Sequence, residues 1–326
     1  MRRAVLLAAV TAAALTLSAC TPPIPELPSA PAPAEAAAVV DAQSDRIVAE
    51  TAAELAAADA AQDATLLVDR VGDDAKIVRA AEYKQQKADK KLVPDVIPSA
   101  TQAIYASAED TWPRVLVAVT EQPAEDVTPV VQLWVQDSVD DNYQMRAWTH
   151  MVPGATLPAM AGPATGAAQL PLDDPSMSPT PGAVLNDYIK LLQDGASSPL
   201  NAEFAADPYR EQLFTARTVL SKAAKKAKGT YKDTITNDEE RTYVLQTAEG
   251  GALVFSPVSV VSTFTVKGAK VSIPAADKAL LTGGKLTTKV VHTYNDMVVL
   301  YIPGPTVTDK PGLVATDHNL VKVSPK

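Results

Sequence analysis

Hydrophobic and polar positions alternate along this chain at two periods, and the points where the period changes divide it into segments. From residue 36 the apolar residues Val39, Val40, Ile47 and Leu55 fall on one side of an Ala-rich stretch with Asp and Glu elsewhere, which predicts an amphipathic helix. A second helical segment follows Ala64, with Leu66, Leu67, Val68 and Val71, a break at Gly72-Asp73, then Ile77, Val78 and Tyr83. It ends in Lys84, Lys87, Lys90 and Lys91 before Pro94, and lysines there suit the negative end of the helix dipole. From Thr101 the period drops to two. Residues 114–120, 128–136 and 142–151 are rich in Val, Thr, Trp and Leu and read as strands, the last two joined by a hairpin at Asp140-Asp141-Asn142. In 142–151 the alternation puts Gln144, Arg146, Trp148 and His150 on one face and Met145, Ala147, Thr149 and Met151 on the other.

Pro153-Gly154 breaks that pattern, and residues 158–181, dense in Pro, Gly, Ala, Ser and Thr, read as an interdomain linker. Helix then resumes: Val184, Leu185, Tyr188, Ile189, Leu191 and Leu192 cluster on one face up to Gly195. A further helix is expected near 208–228, with Leu213, Phe214, Val219 and Leu220, and it too ends in lysines, at 222, 225, 226 and 228. Strands are expected over 241–248, 252–256, 258–267 and 271–273, with hairpin turns at Gly250-Gly251 and Gly268. Residues 287–294 and 297–302 are expected to pair across Asn295-Asp296, with Val314 and 320–323 as a last edge.

Each half therefore runs helix, helix ending in lysines, then antiparallel strands, an order that suggests internal duplication. Helices followed by strands predict an α+β fold. The expected organisation is two tandem domains, 36–157 and 182–326, each with helices packed on a curved antiparallel sheet. Such a sheet resembles the cone of nuclear-transport-factor-2-like folds, by fold analogy alone.

The opening stretch changes the picture more than any other. Arg2 and Arg3 precede an uncharged run from Ala4 to Leu17, too short and Ala-rich to span a bilayer and of the size of a secretory h-region. It closes on Leu17-Ser18-Ala19-Cys20, which resembles the lipobox of bacterial lipoproteins. The resemblance implies cleavage after residue 19, diacylglycerol on the Cys20 thiol, and anchorage to the outer face of the cell membrane. Two or more acyl chains hold far more firmly than one, at roughly 0.8 kcal/mol per buried CH₂. The alternative is an incidental cysteine ending a plain signal peptide. Against it, Cys20 is the single cysteine of 326 residues and stands where the lipobox needs it. Residues 20–35 carry six prolines and read as an extended tether. The chain as a whole is similar to uncharacterised lipoproteins of high-GC Gram-positive bacteria. That likeness rests on the Ala-rich helix pair, the Trp112-Pro113-Arg114 strand start and the second α+β half, and it implies no particular activity.

Without residues 1–19 the chain keeps 27 Lys and Arg against 38 Asp and Glu, a formal charge of −11. An acidic body of this kind is not expected to bind nucleic acid. The nucleophile-elbow, metalloprotease, phosphate-loop and redox Cys-pair motifs are all missing from the sequence. His150, His292 and His318 do not sit at ligand spacing on any one element. No catalytic residue, cofactor or metal is therefore expected. Arg146, Trp148 and His150 are the candidate pocket residues, as a cation, a flat platform and a hydrogen-bonding group lining the first cone; the plainer reading makes this face the solvent side of the sheet. The lysine clusters are candidates for anionic wall glycans or phospholipid headgroups. The expected role is non-catalytic binding or scaffolding in the envelope, of a protein or a lipid ligand. A carrier of an apolar ligand and a small-pocket enzyme, a carboxylate base with a strand tyrosine, stand as alternatives.

Overall fold

A computed structural model describes residues 36–108 and 112–325. The stretches expected to be signal peptide and tether, with Cys20, lie outside the described residues. The described residues form one compact unit.

Helix α1 (Asp41–Ala61) buries Ile47, Val48, Thr51, Leu55 and Ala58; of the stripe expected from spacing, Ile47 and Leu55 lie in it, Val39 is buried ahead of the helix, and Val40 is its exposed N-cap. A 3₁₀ turn at Ala64–Leu66 is capped by Asp63, whose carboxylate accepts from Thr65 N. The chain then returns to start α2 (Asp73–Ala88). Glu54 holds this return by accepting from the backbone N–H groups of residues 68 to 71. Strands β1 (Thr101–Ala106), β2 (Arg114–Thr120), β3 (Val130–Gln136) and β4 (Gln144–His150) follow as an antiparallel meander in that order.

In the second half, α3 (Pro181–Asp194) and α4 (Pro208–Lys226) each begin with proline at the first turn behind a capping side chain, Thr180 and Asp207 respectively. The second sheet has six strands: β5 (Tyr231–Asn237), β6 (Tyr243–Gln246), β7 (Ala252–Thr265), β8 (Lys289–Ile302), β9 (Gly312–Ala315) and β10 (Asn319–Ser324). Its main order is β10-β8-β7-β5, with β6 on β7 and β9 on β8. A short helix α5 (Ala275–Ala279) lies between β7 and β8. The two halves share the order helices-then-strands but not the order of strands within the sheet.

Alternation along each strand builds the layers. Leu116, Ala118, Val130, Trp134, Met145 and Trp148 face α1 and α2. The opposite faces of the two sheets meet each other: Val115, Val117, Val131, Leu133 and Val135 pack with Leu245, Leu253, Phe255 and Val299. Val254, Val258, Val260, Val298 and Leu300 then face α3 and α4. Helices, sheet, sheet and helices stack as four layers. Each fully buried aliphatic contributes about 1.5–3 kcal/mol. The stretch 158–181 lies along this stack in irregular form, touching both sheets' neighbourhoods through bridges Ser107↔Ala167, Met160↔Thr247 and Gln169↔Leu245.

Several local expectations are corrected. The segment after Ala64, expected as helix through Val71, is helical only in the 3₁₀ turn, and Leu66 and Val68 stand exposed. β8 is one continuous strand through Asn295-Asp296, not two strands joined by a hairpin there. It pairs residue for residue with β7, itself continuous across Pro257. The polar pair is tolerated mid-strand because the Asp296 carboxylate is fully partnered by groups distant in sequence. In β4 the register slips between Leu133↔Ala147 and Trp134↔Met145, which makes Arg146 a bulge residue. The slip puts Met145 and Trp148 in the same core and breaks the expected face Gln144, Arg146, Trp148, His150. Residues 271–273 are irregular where a strand was expected, and 231–237, unmarked by the pattern analysis, is β5.

Candidate functional site

The α4 helix presents Leu213, Ala216 and Leu220 toward the outer face of the second sheet, over a cavity of about 360 Å³. Period-two alternation supplies the floor: Tyr231 and Asp233 from β5, Val260, Ser262 and Phe264 from β7, Val290, His292 and Tyr294 from β8. The register sets Ser262 opposite His292 and Val260 opposite Tyr294. Residues 271–274 and Asp277 close one side, and His318 another. The volume lies in the usual range for small-molecule sites, and the walls are mainly aliphatic and aromatic.

The polar groups of this cavity are mostly paired. Tyr231 Oη lies 3.0 Å from Ser262 Oγ. Arg217 Nε donates to Asp233 Oδ2 at 2.9 Å, which neutralises that acid. Asp277 Oδ2 stands 3.7 Å from His292 Nε2. Burial pulls the His292 pKa down, against the attraction of Asp277, so its neutral form is favoured. Burial pushes the Tyr294 hydroxyl up to about 12, leaving it a neutral hydrogen-bonding group. The lining therefore offers no unpaired cation to an anionic head. It suits a ligand with an apolar body and a neutral or cationic polar end.

Beside the cavity, Tyr294 stacks on His318 with ring centroids 3.9 Å apart. His318 Nδ1 donates to Asp296 Oδ2 at 2.8 Å. That carboxylate also accepts from Tyr209 Oη at 2.6 Å and from Asn319 N at 3.1 Å. Asp296 is thus a buried acid whose bonds fix the imidazole, with Nε2 left as the ring's other polar atom. Sequence reasoning missed Asp296 and His318 because Asn295-Asp296 has the composition of a turn. The available signal was a β-branched and aromatic run on both sides of it.

The candidate trio is not brought together. Arg146 pairs with Asp73 and Asp137 at the rim of the first sheet. Trp148 is buried under α2, with the Arg79 guanidinium 5.1 Å from its ring centroid. His150 Nδ1 donates to Asp317 Oδ2 at 3.0 Å, and His150 N donates to the same oxygen at 2.8 Å. Asp95, His150 and Asp317 place one ligand atom each within 4.8 Å of one another, a donor set that suits a divalent cation. The bonds already made to Asp317 account for the cluster as a clasp between β4 and the loop before β10.

Residues 35–324 match the family model described as a domain of unknown function, DUF8094. No curated protein and no solved structure matches the chain.

Proposed function

The chain belongs to the DUF8094 family, and from that premise we propose that it is a lipid-anchored envelope protein that carries a small apolar molecule without transforming it. The observation that carries this reading is the cavity of about 360 Å³ under α4, lined mainly by aliphatic and aromatic side chains with a few polar groups among them. A hydrocarbon body buried there gains roughly 0.8 kcal/mol per CH₂. Tyr294 and His292 meet a hydrogen-bonding head. The location rests on the likeness of Leu17-Ser18-Ala19-Cys20 to a lipobox, which puts the body on the outer face of the cell membrane, anchored through Cys20. The two helix-and-sheet halves are further taken as two α+β domains grown together. The cavity between α4 and its sheet supports a cone-like reading of the second.

Native mass spectrometry of detergent-free protein tests the carriage, together with displacement of a fluorescent apolar probe. A co-purifying small molecule and probe uptake, both abolished by Ala216→Trp, are the expected result. An unliganded mass with no probe uptake refutes carriage. For the anchor, Cys20→Ala is expected to release the body from membranes, and unchanged fractionation and mass refute the anchor alone.

A second reading, a small-pocket enzyme, is favoured by one observation: buried Asp296 orients His318 at the cavity wall, the arrangement of an acid–base imidazole. Turnover of a bound ligand that is lost in His318→Gln with ligand affinity retained decides for it; loss of neither decides against.

A further inference from the structure

The end of α2 and the turn after it bring together a group of cations and a group of exposed aliphatic side chains. Lys84, Lys87, Lys90 and Lys91 are all exposed. Immediately beyond them Leu92, Val93 and Val96 stand 40%, 74% and 70% exposed on an irregular segment. Of the acids nearby, Asp59 and Glu82 are paired with the buried Arg79, Asp95 lies back against His150 and Asp317, and Asp63 and Asp89 accept from the backbone N–H groups of residues 65 and 91. This local excess of cations lies in a chain whose formal net charge is −9 before any cleavage. Lysine ammonium groups around protruding aliphatics match an anionic bilayer interface, where headgroup charge and acyl boundary lie within a few ångströms.

We propose that the α2 end of the body, Lys84 to Val96, docks on an anionic phospholipid surface, with Leu92, Val93 and Val96 entering the interface and the four lysines seated on headgroup phosphates. A flat protein partner would need shape complementarity to a turn that projects, whereas a fluid interface needs none. The proposal does not depend on the ligand in the α4 cavity. It is compatible in reach with an anchor at Cys20. Tyr83 and Lys87 of α2 bond to Asp59 and Gln62, so the docking end lies at the C-terminal end of α1. The 21 residues of α1 span roughly 32 Å. Residues 21–35 extend to roughly 50 Å at most.

The test uses residues 36–326, the compact body that contains all the cores described above, in sedimentation with phosphatidylglycerol or phosphatidylcholine vesicles. Binding to the anionic vesicles that falls steeply between 0.1 M and 0.5 M salt is expected. Each lysine near such a surface is worth roughly fivefold in partitioning, so the variant Lys84→Gln, Lys87→Gln, Lys90→Gln, Lys91→Gln loses binding by two orders of magnitude or more. Val93→Asp with Val96→Asp loses at least tenfold. Lys222→Gln, Lys225→Gln, Lys226→Gln changes charge elsewhere and stays within threefold. Unchanged urea midpoints establish that the variants fold. The proposal is overturned by absence of binding to phosphatidylglycerol, by equal binding to both lipids, or by equal loss in the α4 lysine variant. Binding to an anionic wall glycan in place of vesicles overturns it as well.

Discussion

Arg79 on α2 is the most completely buried cation among the described residues, at 1% exposure, and its replacement by methionine gives the sharpest test of the first half. Its Nη1 donates to Glu82 Oε2 and to the Asp95 carbonyl, both at 2.9 Å. Its Nε lies 3.3 Å from Asp59 Oδ1, and the guanidinium stands over Trp148. Methionine keeps much of the apolar contact but strands these acceptors. Breaking a buried pair from one side costs about 3–5 kcal/mol when the remaining charge stays ionised. Burial lifts the Glu82 pKa to about 7, with Arg79 opposing the rise, so losing Arg79 moves it further up. A carboxyl whose folded pKa is raised contributes stability that is full below its unfolded value, near 4.5, and lost as pH rises through the folded value. Each further unit of rise adds about 1.4 kcal/mol to that loss. Arg79→Met is therefore expected to cost about 2–3 kcal/mol at pH 5.5, where Glu82 is neutral, and about 3–5 kcal/mol at pH 8.5. Urea midpoints at the two pH values measure it, and adding Glu82→Gln in the same chain should remove the difference. A cost below about 1 kcal/mol at both pH values, or a larger cost at the acid one, would refute the reasoning.

Three further outcomes are expected. Trp134 Nε1 donates to Thr51 Oγ1 at 3.0 Å inside the core, so Thr51→Val should cost about 1–3 kcal/mol by chemical denaturation, since the indole N–H is left unpaired. A Cβ on Gly229 would lie 1.8 Å from the Thr265 carbonyl oxygen, so Gly229→Ala should lower the thermal midpoint by the equivalent of about 1–3 kcal/mol or more; an unchanged midpoint contradicts the close approach of these backbones. The hydrogen bond that His150 donates to Asp317, opposed by burial, raises the His150 pKa. That contribution is full below the unfolded histidine value and lost as pH rises through the folded one, so Asp317→Asn should destabilise more at pH 5.5 than at pH 8.5, opposite in sign to Arg79→Met. Paired unfolding curves show which ordering holds.

What the residue order by itself determined is the local part of the design. The apolar spacing of Ile47 and Leu55 in α1, the apolar face of α3 up to Gly195, and the strand character of β2 to β4 all follow from side chains interacting with near neighbours. Such interactions are present in any short piece of the chain, so their pattern is readable there. The α+β class followed from their order. The cavity and its neighbours were not readable in the same way. Asn295-Asp296 has turn chemistry, yet it runs straight through β8, because Tyr209, His318 and Asn319 supply from elsewhere the hydrogen bonds that a turn would have supplied locally. Strand β5, short of apolar residues, exists because β7 offers it a full ladder. In β4 alternation predicted one face, and the Arg146 bulge, set by pairing with β3, divided it between a buried tryptophan and a rim arginine. The contact of sheet on sheet was equally invisible, since a strand with both faces apolar does not say what covers the second. Burial of that second face against another sheet, and the pairing of buried charges such as Asp296 with His318, are sums over distant residues, and only the folded chain performs them.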